Sequence, residues 1–324
     1  MKILITGGAG FIGLHLANFL LKNHHKVDLL DNFSRGKLDD ELTLLSENNQ
    51  ISIINADLKQ NNILNQLDTD YDLIFHFAAI LGVQNVLDQP YKVLDSNMLL
   101  TSNAIRIAKN QKSLNCFIFS STSEVYAGSL ENNLLEIPTP EDSLIVLPDN
   151  QKPRTSYMLS KIYGEAMCIH SSIPYLIVRP HNIYGPRMGM SHVIPQLIEK
   201  AYKEINNGKL NVYSLEHTRT FCYVADAVEQ MYALIMNTKS RNQVYNIGCQ
   251  FPEITIEELS NKIVKLIGKK LTLNSLGTSE GSPSRRCPDM SYTNAMTNFK
   301  NKVSIDEGLG FTYKWYKKNY LKNR

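Results

Sequence analysis

Cysteine is scarce and unpatterned in this chain. Cys116, Cys168, Cys222, Cys249 and Cys287 are scattered without any C-x-x-C spacing, so neither a disulfide framework nor a metal site is expected, and all five read as reduced packing residues. A charge excess is also missing: 34 Lys and Arg face 31 Asp and Glu, for a net charge of +3. That excludes the broad basic field of a nucleic-acid binder, so an anionic ligand has to be met by local groups. No apolar run approaches the ~18 residues of a membrane span, and MKILITGG enters a strand at once without the apolar stretch of a signal peptide. A cytoplasmic protein with no membrane partner is the expectation. Repeats and low-complexity tracts are absent, and 324 residues suffice for one large α/β unit with an added lobe.

What is present is an alternation of short apolar runs with longer helical patterns. Lys2–Thr6 is followed by Leu14–Asn23; then come Lys26–Asp31, Ile51–Asp57, Asp72–Ala79, the helical Tyr91–Lys109, and Cys116–Thr122. The runs are rich in Ile, Leu, Val and Phe without strict alternation, as strands covered on both faces must be. This predicts a Rossmann-type doubly wound parallel sheet. A loop rich in Pro, Asn and Asp (136–154) precedes a helix over Ser156–His170 and an apolar strand over Pro174–Arg179. Beyond Pro180 the pattern loosens, with a helix near Ile194–Asn206 and short strands at Leu210–Tyr213 and Val244–Ile247. The expected division is a dinucleotide domain over 1–180 and a mainly substrate-binding lobe over 181–324, with segments around 220–250 returning to the main domain. The basic tail Lys314–Arg324, with Trp315 and Tyr316 interleaved, reads as a terminal helix with one anchoring face, the alternative being a binding arm.

Gly7, Gly10 and Gly13 form G-G-A-G-F-I-G directly after the first strand and at the start of a helix. Glycines there let backbone N–H groups approach a pyrophosphate, whose charge is favoured at a helix N-terminus. A ligand-free glycine turn is the plain alternative. Asp31, closing the second strand about 20 residues on, favours the dinucleotide: its carboxylate can accept from both adenosine ribose hydroxyls and would repel a 2′-phosphate. NAD is therefore preferred to NADP, with Arg35 nearby to soften the preference. Asp57, ending the third strand, contacts adenine or caps the strand end.

Tyr157 and Lys161 form Y-x-x-x-K within SYMLSK, and that spacing turns both toward one helix face. An ammonium beside a phenol favours phenolate, so Tyr157 can take a hydroxyl proton as hydride leaves for nicotinamide. The fifth strand ends at Ser120, Ser121, Thr122 and Ser123, hydroxyls suited to hold the oxygen being oxidised.

With TGGAGFIG, DNFSRG, FHFAA, SSTSEVY, SYMLSK, RPHNIYGPRM, RTFCYV and RRCPD in this order along almost the whole chain, the sequence resembles the extended short-chain dehydrogenase/reductase family, and in particular its nucleotide-sugar epimerases, dehydratases and decarboxylases. The resemblance implies NAD held by Gly7, Gly10, Phe11, Ile12, Gly13, Asp31, Asn32, Asp57, Leu58, Ala78, Ala79, Tyr157 and Lys161. It implies Thr122 as the substrate-orienting hydroxyl, Tyr157 as the base and Lys161 as its partner. It further implies Asn182 near a sugar diphosphate, Val193 in the substrate site, and Arg219 and Arg286 on the nucleotide's phosphate or ribose, a task suited to the arginine fork. A nucleotide-diphosphate sugar as substrate, a homodimer and a place in polysaccharide biosynthesis come with it.

Which reaction follows oxidation at C4 depends on further residues. Thr122, Ser123 and Glu124 form T-S-E, which resembles UDP-glucuronate decarboxylases and GDP-mannose 4,6-dehydratases more than galactose 4-epimerases. Glu124 is thus a candidate acid, its alternative being a solvated or capping loop carboxylate. Lys152-Pro153-Arg154 also resembles a decarboxylase segment, whereas LGVQNVLDQP (81–90) looks epimerase-like. His181 either touches the sugar or packs. A UDP-glucuronate-type decarboxylase leads, with 4-epimerase and then 4,6-dehydratase as alternatives and a non-enzymatic NAD or nucleotide sensor last.

Overall fold

The computed structural model describes residues 1–60, 62–279 and 282–322, with the Val83 side chain left aside. Strands β1 (Lys2–Thr6), β2 (Lys26–Asp31), β3 (Ile51–Asn55), β4 (Leu73–His76), β5 (Cys116–Ser120), β6 (Tyr175–Pro180) and β7 (Gln243–Ile247) form one sheet in the order β7-β6-β5-β4-β1-β2-β3. Every neighbouring pair is parallel, so this is the doubly wound sheet the sequence predicts.

Both faces are covered, which is why the strands read as continuous apolar runs. Ile3 and Ile5 share a core with Leu14 and Leu16 of helix α1 (Phe11–Lys22) and with Val228 and Met231 of the helix Val224–Met236. Leu4, between them, points the other way and joins Ile74, Phe117, Phe119 and Ile177 against Leu100 and Ala104 of Pro90–Lys109 and Cys168 of Thr155–Ile169. Each such aliphatic burial is worth roughly 1.5–3 kcal/mol. All five cysteines are free thiols buried in the structure.

A third apolar cluster gathers three later helices. Ile194, Leu197 and Ile198 of the helix Val193–Lys203 pack with Leu259 and Ile263 of the helix Ile256–Ile267 and with Leu309 and Tyr316 of the helix Ile305–Tyr316. The last two helices begin with reciprocal capping boxes, Thr255 with Glu258 and Ser304 with Glu307. The chain continues as a helical turn, Lys317–Leu321; Asn323 and Arg324 of the basic tail lie outside the described residues. Small sheets pair Thr218–Thr220 with Glu253–Thr255 and Arg285–Arg286, and Lys209–Val212 with Thr272–Ser275. Among the described residues no helix is long and apolar enough to cross a membrane.

The strand order reverses between β1 and β4. The crevice outside their carboxyl ends is where an open α/β sheet accepts a ligand.

Candidate active site

A cavity of about 970 Å³ opens at that crevice. The site residues expected from the sequence line it together, from Gly7, Gly10 and Gly13 through Asp31, Asp57 and Ala78 to Thr122, Glu124, Tyr157, Lys161, Asn182, Val193 and Arg286. Arg219 is not brought into its lining. The Arg219 guanidinium instead donates to the carbonyls of Thr218 (2.7 Å), Pro283 (2.6 Å) and Ser284 (3.3 Å) and to Ser282 Oγ (3.1 Å), stapling that loop.

The dinucleotide end is shaped by the turn between β1 and α1. Gly7 has φ +73°, and a Cβ there would lie 2.7 Å from the Ala78 nitrogen; one at Gly13 would lie 2.6 Å from the Gly7 carbonyl oxygen. Only glycine lets β1, the turn and α1 approach this closely. The first helical N–H groups of α1 have no side-chain cap at Gly10, and no acidic residue sits in the first turn. An uncapped, unopposed helix start facing a cavity fits a diphosphate. Asp31 accepts from the Ala9 N–H (3.0 Å) and the Phe33 N–H (2.9 Å). Burial raises its carboxyl above the ordinary range, against these two bonds and the nearby Arg187 charge. Asp57 lines the cavity and also accepts from the Lys59 N–H at 2.9 Å, the local cap expected of it. These residues fit NAD.

At the other end, Thr122 lies two residues past β5 and caps the following turn, its Oγ accepting from the Glu124 N–H at 3.2 Å. Tyr157 and Lys161 enter from the helix Thr155–Ile169. Lys161 Nζ donates to the Ser120 carbonyl (2.7 Å) and stands 6.0 Å from the centre of the Tyr157 ring. The ammonium is thus anchored on the end of β5, beside the phenol ring. Burial pushes the Tyr157 phenol up, the Glu124 charge adds to that, and a hydrogen bond with Thr122 and the Arg35 charge pull the other way. Burial also lowers Lys161 to about 8, with Cys168 and Glu165 opposing. Burial disfavours both charged forms.

Beneath them, Glu165 accepts from Ser121 and from both Arg179 Nε (2.9 Å) and Nη2 (2.7 Å). Arg179 also holds the Tyr126 hydroxyl (2.7 Å) and the Glu141 carbonyl (2.9 Å). This buried network fixes the β5 end on which Thr122 sits.

Glu124 faces a cation. Arg286 Nη1 is 3.3 Å from Glu124 Oε1, with both side chains partly exposed to the cavity. Arg286 therefore reaches the Tyr157 end of the cavity. His181 is packed: its Nε2 meets Asn246 Oδ1 at 2.9 Å, and burial lowers it to about 3. Lys152 pairs with Glu131 at the surface (3.2 Å), and neither it nor Arg154 lines the cavity. Arg187, Lys92, His192, Trp315, Tyr316 and Tyr320 line the cavity without having been singled out for it. Arg187 stands within the quoted RPHNIYGPRM, and the aromatics within the noted tail.

Residues 3–248 match the NAD dependent epimerase/dehydratase family. Over 98% of both chains, the protein is 35% identical to the UDP-N-acetyl-alpha-D-glucosaminuronate decarboxylase of Bacillus cytotoxicus. It is 30% identical to UDP-glucuronic acid decarboxylase 1 of Xenopus tropicalis, over 98% of this chain and 72% of that one. Among solved structures, it resembles the UDP-glucuronic acid 4-epimerase of Bacillus cereus in complex with UDP-glucuronic acid and NAD, with a TM-score of 0.85 and 28% identity over 99% of this chain and all of that one. The chain belongs to the NAD dependent epimerase/dehydratase family and is an NAD-dependent enzyme that modifies nucleotide sugars.

Proposed function

We propose that this enzyme decarboxylates a UDP-linked hexuronate through a C4 ketone. The observation that carries the reading is the Glu124–Arg286 pair at the Tyr157 end of the cavity. A bare carboxylate at Glu124 would repel a substrate carboxylate; Arg286 beside it offers that carboxylate a fork to bind. The similarity in full length to a decarboxylase of an N-acetylated hexuronate supports the same reading and makes that sugar the first to test.

Thr122 orients the C4 hydroxyl, and Tyr157, which has to enter the step as phenolate beside the Lys161 ammonium, takes its proton. NAD, when bound, supplies the acceptor for the C4 hydride and can return it. Because the C4 ketone is β to the C6 carboxylate, the C5–C6 bond can break with its electron pair passing to the C4 oxygen, which Thr122 and the Tyr157 hydroxyl hold. CO2 leaves, and C5 requires a proton. Glu124, beside Tyr157 and held by Arg286, is assigned to relay that proton to C5 from water, and Arg286 seats the carboxylate before it leaves. Lys161, in this family's pattern, holds the nicotinamide ribose and supports Tyr157.

The full-length likeness to a UDP-glucuronic acid 4-epimerase favours one second reading, C4 epimerisation with the carboxylate retained. Incubation with UDP-glucuronate and UDP-N-acetylglucosaminuronate, followed by mass spectrometry, separates them. Decarboxylation removes the mass of CO2; an unchanged mass with a new sugar NMR spectrum would replace it by epimerisation.

A further inference from the structure

Arg187 is held in a way the chemistry above does not require. Its backbone has φ +68°, the left-handed region that a side-chain-bearing residue enters at a cost. Its side chain is 8% exposed, and three of its donors are committed across the lobes. Nε donates to Asp39 Oδ2 (2.6 Å), Nη1 to the Ala9 carbonyl (2.7 Å) and Nη2 to the Lys37 carbonyl (2.8 Å). Ala9 is thereby gripped at both ends, since its N–H already goes to Asp31. The next peptide is fixed as well, because the Gly10 N–H donates to the Gly7 carbonyl at 3.0 Å. With that turn fixed, the uncapped N–H groups at the start of α1 stay aimed outward.

The residues flanking Arg187 are tied to separate elements. His15 Nε2, on α1, lies 3.0 Å from the Pro186 carbonyl oxygen. The Tyr316 hydroxyl, from the helix Ile305–Tyr316, donates to the Met188 carbonyl, and the neighbouring Trp315 Nε1 donates to Glu41 at 2.6 Å. Asp39 is shared: its Oδ1 caps the short helix Asp40–Ser46 through the Leu42 N–H (3.1 Å), while Oδ2 takes Arg187.

We propose that Arg187 is a positioning residue that couples the substrate lobe to the NAD site, ordering the glycine turn and the 35–41 segment and so setting how tightly NAD is retained. This rests on the NAD dependence and not on the choice of sugar reaction. It also accounts for the unusual backbone: a left-handed residue persists where the surrounding bonds over-determine it.

The test compares Arg187→Met, Arg187→Lys and Asp39→Asn with the unaltered protein. Asp39→Asn keeps an oxygen for the helix cap but loses the charged partner of Arg187. NAD affinity, measured by calorimetry on protein stripped of cofactor, is expected to fall about tenfold or more in Arg187→Met and by less in the other two, the size of an ordinary coupling between sites. Amide exchange across 35–41 should quicken in the NAD-free variants. Turnover at saturating NAD should stay within about threefold of the unaltered protein, since the reacting groups are untouched. Unchanged NAD affinity in Asp39→Asn would overturn the coupling and leave at most a direct role for the guanidinium. A drop in saturated turnover with affinity intact would overturn it as well. Arg187→Lys guards against a folding failure in Arg187→Met.

Discussion

The dinucleotide end of the cavity is local and the sugar end is assembled from afar. Gly7 to Gly13 lie in one turn, and Asp31 closes the adjacent strand, so one β-α-β unit supplies the glycine turn and the carboxylate facing it. At the sugar end, Glu124 meets a partner 162 positions away, and the loop behind it is stapled by Arg219. Backbone geometry dominates at the first end, where a single methyl group would meet a carbonyl or amide at 2.6–2.7 Å. Charge placement dominates at the second. A fold can therefore keep its cofactor chemistry while its product changes, because the product depends on side chains that the glycine turn does not constrain.

The largest effects should come from separating the two ends. Tyr157→Phe is expected to abolish turnover, by at least about a hundredfold, while leaving NAD binding nearly intact in calorimetry. Loss of both would mean that the two ends cannot be separated at this residue. Glu165→Gln breaks the buried pair with Arg179 beneath the sugar end and should destabilise the protein by about 3–5 kcal/mol in denaturant unfolding, since it leaves an uncompensated buried charge. Gly13→Ala should act at the other end, costing about 1–3 kcal/mol through overpacking and weakening NAD binding with it.

A smaller effect lies in pH. Lys161 has its folded value lowered to about 8 from 10.5. Below pH 8 both states carry the charge and its burial penalty is fully present. Between about pH 8 and 10.5 the folded protein has released the proton and the unfolded chain has not, so this group makes stability rise with pH. Thermal unfolding of NAD-free protein should show that rise relative to Lys161→Met; parallel pH curves for the two would contradict it.

The same contrast explains what could be read from the sequence. The glycine turn, Asp31, Thr122 and the Tyr157–Lys161 pair were legible because their chemistry is coded by short spacing and by position at strand ends. The direction of the Lys161 ammonium was not, since it depends on a carbonyl of β5 and on burial. Arg187 carries no local signal: its partners at Asp39 and Ala9 lie 148 and 178 positions away. Trp315 was visible as an aromatic in a basic tail, but nothing nearby indicated that it reaches Glu41. The helices Ile256–Ile267 and Ile305–Tyr316 did carry readable capping boxes, T-x-x-E and S-x-x-E, which the apolar pattern alone passed over.

The central claim, that charge at the sugar end directs the C4 ketone toward loss of its carboxylate, is tested most directly with UDP-N-acetylglucosaminuronate labelled with carbon-13 at C6. Labelled CO2 should be released by the unaltered enzyme and much more slowly by Glu124→Gln and Arg286→Gln, both with NAD still bound. A labelled sugar product that retains its carboxylate, formed equally well by all three proteins, would contradict the account.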